Sequence, residues 1–334
     1  MQAAQHVRLY NILIGSMKTQ AIHVAAELGL ADFLAAGQRD IAAIAQATHT
    51  HPPALFRLMR ALCSLGLFSE RDGNYSVTPL GEALRSDVPG SLRPFALLLG
   101  GDAWWRAWGA LGQSVRTGQG AFDATHGRGY FEYLAGDPGE RQRFHEFLAS
   151  IAGMNAAAIV QAYSFAACRR IVDVGGGEGN LLARILDEVG TASGVLLDLP
   201  GIVPDPGSLA AGIRGRLQIV AGDFFLEVPA GGDCYILQQV LHDWSDEKAL
   251  EILARCRDAM PAGARLLIID AVIEAGNQPS FNKFTDLHMM VLSNGGRERT
   301  LPEFQELLRR AGFAFERVLP APTAFSIIES RPSP

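Results

Sequence analysis

The sequence predicts an α/β protein, on three observations. From about residue 168 onward, apolar β-branched runs alternate with helical patterns. One such run, Arg170-Ile171-Val172-Asp173-Val174, ends in Gly175-Gly176-Gly177-Glu178-Gly179, which reads as a buried parallel strand entering a tight turn. Asn180 to Glu188, with Leu181, Leu182, Ile185 and Leu186 on one side, reads as the helix that follows. The glycines strip the turn of Cβ atoms, so a ligand can lie against backbone at the carboxyl end of the strand. In open α/β sheets that crevice is where ligands bind.

Length and composition bound the rest. At 334 residues and 48% hydrophobic content, the chain can bury one large core or two moderate ones. Charged residues make up only 19% and the net charge is -6, so no global attraction to nucleic acid or anionic membrane is implied. The four cysteines, Cys63, Cys168, Cys234 and Cys256, form no C-x-x-C pair and read as reduced buried thiols, with no metal site expected. The first twenty residues lack an apolar core and a small-residue cleavage site, and no apolar run approaches 18 residues. A cytoplasmic protein is expected.

Taken in order, residues 1–36 read as helical, with Leu9, Ile12, Leu13, Ala21, Ile22, Val24 and Leu28 distributed over both faces. Either a partner subunit or the chain's own core covers them. Residues 38–85 read helix, helix, two-stranded wing. Ile41–Ala45 is the first helix; Pro52-Pro53 opens the second, and Asp72-Gly73 marks the hairpin turn. That is a winged-helix outline, but residues 1–95 hold eight Lys/Arg against seven Asp/Glu. The basic footprint of a DNA-binding surface is missing. Residues 92–165 read as mostly helical and concentrate the aromatics, including Trp104, Trp105, Trp108, Phe122, Tyr130 and Phe131. Most of these belong to the core; some can wall an aromatic pocket, with Met154 and Asn155 as further candidates for that wall.

Beyond the glycine turn, Gly194–Leu197 reads as a second strand ending in Asp198, and Leu217–Val220 as a third leading to Gly222-Asp223-Phe224-Phe225. A dinucleotide fingerprint would need glycine at position 180, which is Asn. Asp198, 19 residues past Gly179, suits a ribose diol, while Asp223 beside Phe224 suits an adenine amine and its ring face. A fourth strand, Asp233–Leu237, runs into Gln239-Val240-Leu241-His242-Asp243-Trp244, which puts His242 at the same sheet edge. Ser245 is a plausible cap for a helix from Asp246 to Ala259. Asp270 reads as the end of a fifth strand, and Glu298 lies in the loop led by Asn294-Gly295-Gly296. A helix from Pro302 to Ala311 and two closing strands, near Phe313 and Phe325–Ile328, complete the chain. An imidazole oriented by carboxylates is a general base suited to neutral pH.

The D-V-G-G-G-x-G, G-D-F-F, L-H-D-W and G-G-R-E-R-T stretches resemble the S-adenosylmethionine-dependent small-molecule O-methyltransferases related to the plant caffeate and flavonoid enzymes. Bacterial members that methylate phenazines and polyketides share the outline. The resemblance covers nearly the whole chain. It implies a mainly helical, winged-helix-like dimerisation domain over residues 1–95, a helical connector contributing to the acceptor pocket over 96–165, and a Rossmann-like class I methyltransferase domain over 166–334. By the family's pattern His242 is the base, with Asp270 and Glu298 its flanking acids. Gly175 would take the methionine end of S-adenosyl-L-methionine, Asp198 the ribose, and Asp223 and Phe224 the adenine, with Gly177 also a cofactor-binding position. Met290 and Asn294 would line the acceptor pocket. Gln238 departs from the Lys or Arg that the family often carries four residues before the histidine, making that cofactor contact neutral. Asp270 stands where many plant members have Glu, a shorter reach. The expected activity is methyl transfer to an aromatic or enolic hydroxyl, in secondary metabolism, by a homodimer with neither nucleic acid nor membrane as partner. The alternatives are N- or C-methylation, an atypical reaction on a similar substrate, or a non-catalytic cofactor-binding regulator.

Overall fold

The computed structural model describes residues 2–205 and 211–334. The chain divides into two compact units, Met1–Gly109 with Phe131–Ile151, and Ala110–Tyr130 with Ala152–Pro334.

The first unit is built from α1 (Gln2–Leu13), α2 (Gly15–Glu27), α3 (Leu30–Ala35), β1 (Arg39–Asp40), α4 (Ile41–Ala47), α5 (Pro52–Ser64), β2 (Phe68–Arg71), β3 (Asn74–Val77), α6 (Arg93–Gly100) and α7 (Asp102–Gly109). The strands form one antiparallel sheet in the order β1-β3-β2. Asp72 and Gly73, both at positive φ (52° and 78°), make the tight turn between β2 and β3 that matches the strands' twist. Asp40 caps α4, its Oδ1 accepting from the amide of Ala43 at 2.8 Å. Leu30, Leu34, Ile44, Met59, Leu62 and Phe68 form the core of this winged-helix-like part. The apolar residues of α1 do not join it: Val7, Leu9, Tyr10, Ile12 and Leu13 are all exposed.

Four helices follow in sequence, α8 (Leu111–Thr117), α9 (Ala121–His126), α10 (Tyr130–Gly136) and α11 (Pro138–Ala162), of which the stretch Phe131–Ile151 belongs to the first unit. The rest of the second unit alternates strands with helices: β4 (Arg170–Val174), α12 (Asn180–Glu188), β5 (Ser193–Asp198), α13 (Ala211–Arg214), β6 (Leu217–Ala221), β7 (Cys234–Gln238), α14 (Asp246–Ala259), β8 (Arg265–Ile273), α15 (Asn282–Leu292), β9 (Arg299–Thr300), α16 (Leu301–Arg310), β10 (Phe313–Pro320) and β11 (Phe325–Pro332). The main sheet runs β10-β11-β8-β7-β4-β5-β6, parallel from β8 to β6 and antiparallel at the β11 and β10 edge. This is the Rossmann-like architecture expected. Period-two alternation sorts the strands' side chains to two faces. Val172, Leu197, Tyr235 and Ile268 pack with α14 and α16. Ile171, Leu196, Ile236 and Ile269 pack with α12 and with Ile159 and Tyr163 of α11 and its following loop. Ser245 caps α14 through the amide of Lys248, and Thr300 with Glu303 forms a capping box on α16.

The strand order fixes where chemistry can occur. From β4 the sheet grows one way through β5 and β6, then the other way through β7 and β8. The order thus reverses between β4 and β7, and the carboxyl edge at that switch point is where open α/β sheets form their ligand crevice. One boundary differs from expectation: Asp270 does not end its strand, because β8 continues to Ile273, where Val272 and Ile273 pair in parallel with Arg299 and Thr300 of β9. That extra pairing brings the chain carrying Glu298 alongside Asp270. No helix among the described residues is long and apolar enough to cross a membrane.

Candidate active site

On the β4 side of the crevice, the glycine turn is held by amides of Gly175 and Gly176 that donate to the Leu197 carbonyl at 2.8 and 3.3 Å. Gly176 permits no side chain: a Cβ there would lie 2.5 Å from the Asp173 carboxylate and 2.6 Å from Leu196. Gly177, at φ 58°, has nothing within 4 Å of such an atom, so the turn presents bare backbone to open space. Asp198 ends β5 with both oxygens already fixed, Oδ2 accepting from Gly177 N and Oδ1 from Leu199 N, each at 2.7 Å. A carboxylate held by two amides needs no reordering when it meets a diol. Asp223 is held likewise by the amide of Phe225 at 2.8 Å. Phe224 lies beside Gly175 and packs against Phe225 and Trp244, with ring centroids 5.0 and 6.3 Å away. Gln238 is the last residue of β7, and Gln239 after it sits at φ 53°, a strained turn that swings the chain toward His242.

One residue on this side was not among the sequence candidates. Asp173 is buried in β4, and neither of its oxygens has a hydrogen-bond partner among the described residues. Burial, reinforced by Asp198, pushes its pKa up to about 7. An unpaired buried carboxyl is costly unless a ligand completes it. The available signal was an acid inside an apolar strand directly before a glycine run. Gly175, Gly177, Asp173, Asp198 and Phe224 together form a bare-backbone cradle with acidic acceptors and an aromatic wall, a donor and acceptor set that suits a cationic, ribose-bearing nucleoside.

On the β7 side, His242 occupies a 3₁₀ turn (Leu241–Asp243) immediately after the strand. Its Nδ1 lies 3.2 Å from Oε1 of Glu298 and 3.4 Å from Oδ1 of Asp270. The ring nitrogen and the two carboxylate oxygens fall within 4.8 Å of one another. Both acids are almost fully buried; Asp270 and the second oxygen of Glu298 have no hydrogen-bond partner among the described residues. Asp243, which sequence reasoning did not single out, puts Oδ1 3.6 Å from Nε2 on the far side of the ring. Burial alone would lower the pKa of His242, but the pull of Asp243, Asp270 and Glu298 outweighs it and raises it to about 10. Asp270 moves up as well, chiefly through burial. Glu298 is positioned by its own amide, which donates to Asp286 of α15 at 3.0 Å. His288 on the same helix is pushed down to about 4 by burial and then by His242.

The acceptor-wall candidates are placed less uniformly. Asn294 is committed to two hydrogen bonds: its Oδ1 accepts from Gly120 N at 2.7 Å and its Nδ2 donates to Asp123, bracing the start of α9. Met290 is half-buried on α15. Met154 is exposed and Asn155 buried, both on α11.

Residues 108–314 match the family model described as the O-methyltransferase domain. Residues 10–87 match the O-methyltransferase dimerisation domain. The chain is 42% identical to the phenazine O-methyltransferase PhzM of Lysobacter antibioticus over 327 residues, 97% of this chain and 95% of that one. The crystal structure of LaPhzM aligns with a TM-score of 0.91 at 41% identity, over 98% of this chain and 99% of that one. The O-methyltransferase NcsB1 from neocarzinostatin biosynthesis, solved with S-adenosylmethionine and 2-hydroxy-5-methyl naphthoic acid, aligns at 0.81 and 36% identity, over 94% and 96% of the two chains. With its glycine cradle, its strand order and both family models in place, the chain belongs to the O-methyltransferase family.

Proposed function

We propose that the protein transfers a methyl group from S-adenosylmethionine to a hydroxyl of a fused-ring aromatic small molecule, of phenazine, naphthoate or polyketide type, with His242 as general base. The observation that carries this reading is the constrained imidazole. Glu298 and Asp270 both face Nδ1, so the proton is taken at Nε2, the nitrogen beside Asp243 Oδ1 at 3.6 Å. The cofactor supplies a methyl carbon on a sulfonium, so that an O–C bond forms as the C–S bond breaks and a neutral thioether leaves. In this reading the hydroxyl proton passes to Nε2. Glu298 holds the Nδ1 proton and stabilises the imidazolium. Asp198, Asp223 and the glycine turn hold the nucleoside end, and Gln238 offers that end a neutral contact. Met290, Met154 and Asn155 contribute to the acceptor wall, and Asn294 supports it through its brace on α9. Orientation of the two reactants supplies the larger share of the barrier reduction, about 7 to 11 kcal/mol in well-aligned systems. The base adds about 10² to 10⁴-fold. Incubation with deuteromethyl-labelled cofactor and 2-hydroxy-5-methyl naphthoic acid, hydroxyphenazines and polyketide phenols tests it. Label on a phenolic oxygen is expected; label on carbon or nitrogen alone would contradict it.

The exposed apolar residues of α1, Val7, Leu9, Tyr10, Ile12 and Leu13, support a homodimer buried through that helix. Light scattering at micromolar concentration should give twice the chain mass of 35.9 kDa, and a monomer would contradict it. The four free thiols accord with a cytoplasmic site of action.

A further inference from the structure

Arg299 is the largest fully buried side chain among the described residues, and its guanidinium is spent on the backbone that carries His242. Nη1 donates to the Leu241 carbonyl at 2.7 Å and Nη2 to the Trp244 carbonyl at 2.8 Å, bracketing the histidine on both sides. Nε donates to Oδ1 of Asp246, in the first turn of α14, at 2.9 Å. The amide of Arg297 adds a bond to the carbonyl of His242 itself at 2.8 Å. Meanwhile the neighbouring Glu298 grips the imidazole. Two adjacent residues thus fix the base twice, one by its ring and one by its main chain. β9, paired to the strand that carries Asp270, sets the position of both.

Buried guanidinium groups are rare without a role, because desolvation is expensive. The planar fork is also required here. Two carbonyls and a carboxylate lie around its rim, and a lysine ammonium, a point charge on a flexible stem, cannot span all three. We infer that Arg299 is a positioning residue for methyl transfer: it holds the Leu241–Trp244 turn so that His242 stays within reach of Glu298 and Asp270. The inference rests on the reading of His242 as the base. The guanidinium is committed to Leu241, Trp244 and Asp246, so cofactor and acceptor binding should be indifferent to its loss.

The test uses full-length Arg299→Lys and two readouts. NMR titration of the ring signals, with His242 assigned by their loss in His242→Ala, reads the position of the imidazole without any acceptor. Asp243 from its own turn, Asp270 from β8, Glu298 before β9 and His288 from α15 all face this ring. A ring released from its acids binds its proton less tightly, so the midpoint should fall by about one unit or more, tenfold in proton affinity. The second readout is a double-mutant cycle on single-turnover transfer to 2-hydroxy-5-methyl naphthoic acid. Arg299→Lys alone should slow transfer by about 10²-fold with cofactor affinity unchanged, and should cost no more than about twofold in the His242→Ala background. An unmoved midpoint in a folded variant, or a loss that recurs in full without His242, overturns the inference. If no acceptor is methylated, the proposed function fails while the titration still decides the role of Arg299. Should Arg299→Lys not fold, Asp246→Asn carries both readouts. It unanchors the guanidinium while sparing both carbonyls, and the same shift in smaller measure is expected; a folded Asp246→Asn with an unmoved midpoint overturns the inference equally.

Discussion

The two sides of the crevice are built on opposite plans. The β4 side is local and made of backbone: glycines, amides donating to Asp198 and Asp223, and side chains that follow their strands within a few residues. The β7 side is assembled from afar. His242, Asp270 and Glu298 come from three separate segments and bring two buried carboxylates to one imidazole. The first plan gives a rigid receptor that hardly reorganises on binding. The second concentrates negative charge where an imidazolium forms, so its energetics lie in protonation rather than in shape. Binding and chemistry should therefore respond separately to mutation.

The sharpest way to break that separation is at Asp198. Losing its two preset acceptors should weaken S-adenosylmethionine binding by about ten- to a hundredfold, the worth of one or two charge-assisted hydrogen bonds. Calorimetry on Asp198→Ala measures this. At saturating cofactor the methyl-transfer rate should stay within a few-fold of the parent; a collapsed rate at full occupancy would show that the two sides are one unit.

A smaller effect, on the other side, concerns pH. Because the folded pKa of His242 is raised to about 10, the imidazolium dominates at neutral pH and the base form grows as pH rises, so the transfer rate should climb into the alkaline range. By linkage, the charged histidine contributes stability that is present below its ordinary pKa of about 6.5 and is lost as pH rises through its folded value. Glu298→Gln removes one of the groups that raise it. The midpoint of the pH–rate profile should then move to lower pH, while the plateau falls by less than about tenfold because the base still works unaided. A midpoint that stays put or rises would mean that Glu298 does not govern the protonation of His242.

The same contrast explains what sequence alone could read. On the β4 side spacing was enough to place the candidates, since Gly175, Asp198 and Asp223 each lie at or just past the end of a strand; strand β4 and helix α12 fall on the expected residues. Asp173 escaped because an acid in a strand reads as a framing residue until its oxygens prove unpaired. On the β7 side the three triad residues could be named, but not their geometry. The continuation of β8 beyond Asp270 depends on pairing with β9, a two-residue strand too short to carry any periodicity. The bond of Asn294 to Gly120 joins segments 174 residues apart, so no local pattern predicts that its side chain is committed to bracing. Asp243 and Arg299 sit inside motifs whose neighbours attracted the functional reading.

The most direct measurement is single-turnover methyl transfer by His242→Ala, with cofactor binding measured in parallel. If His242 is the base, transfer should slow by about 10² to 10⁴-fold with cofactor affinity nearly unchanged, and the loss should shrink for acceptors whose hydroxyl is already ionised. Transfer at the parental rate, in an assay limited by the chemical step, would contradict this and leave a protein that works by positioning alone.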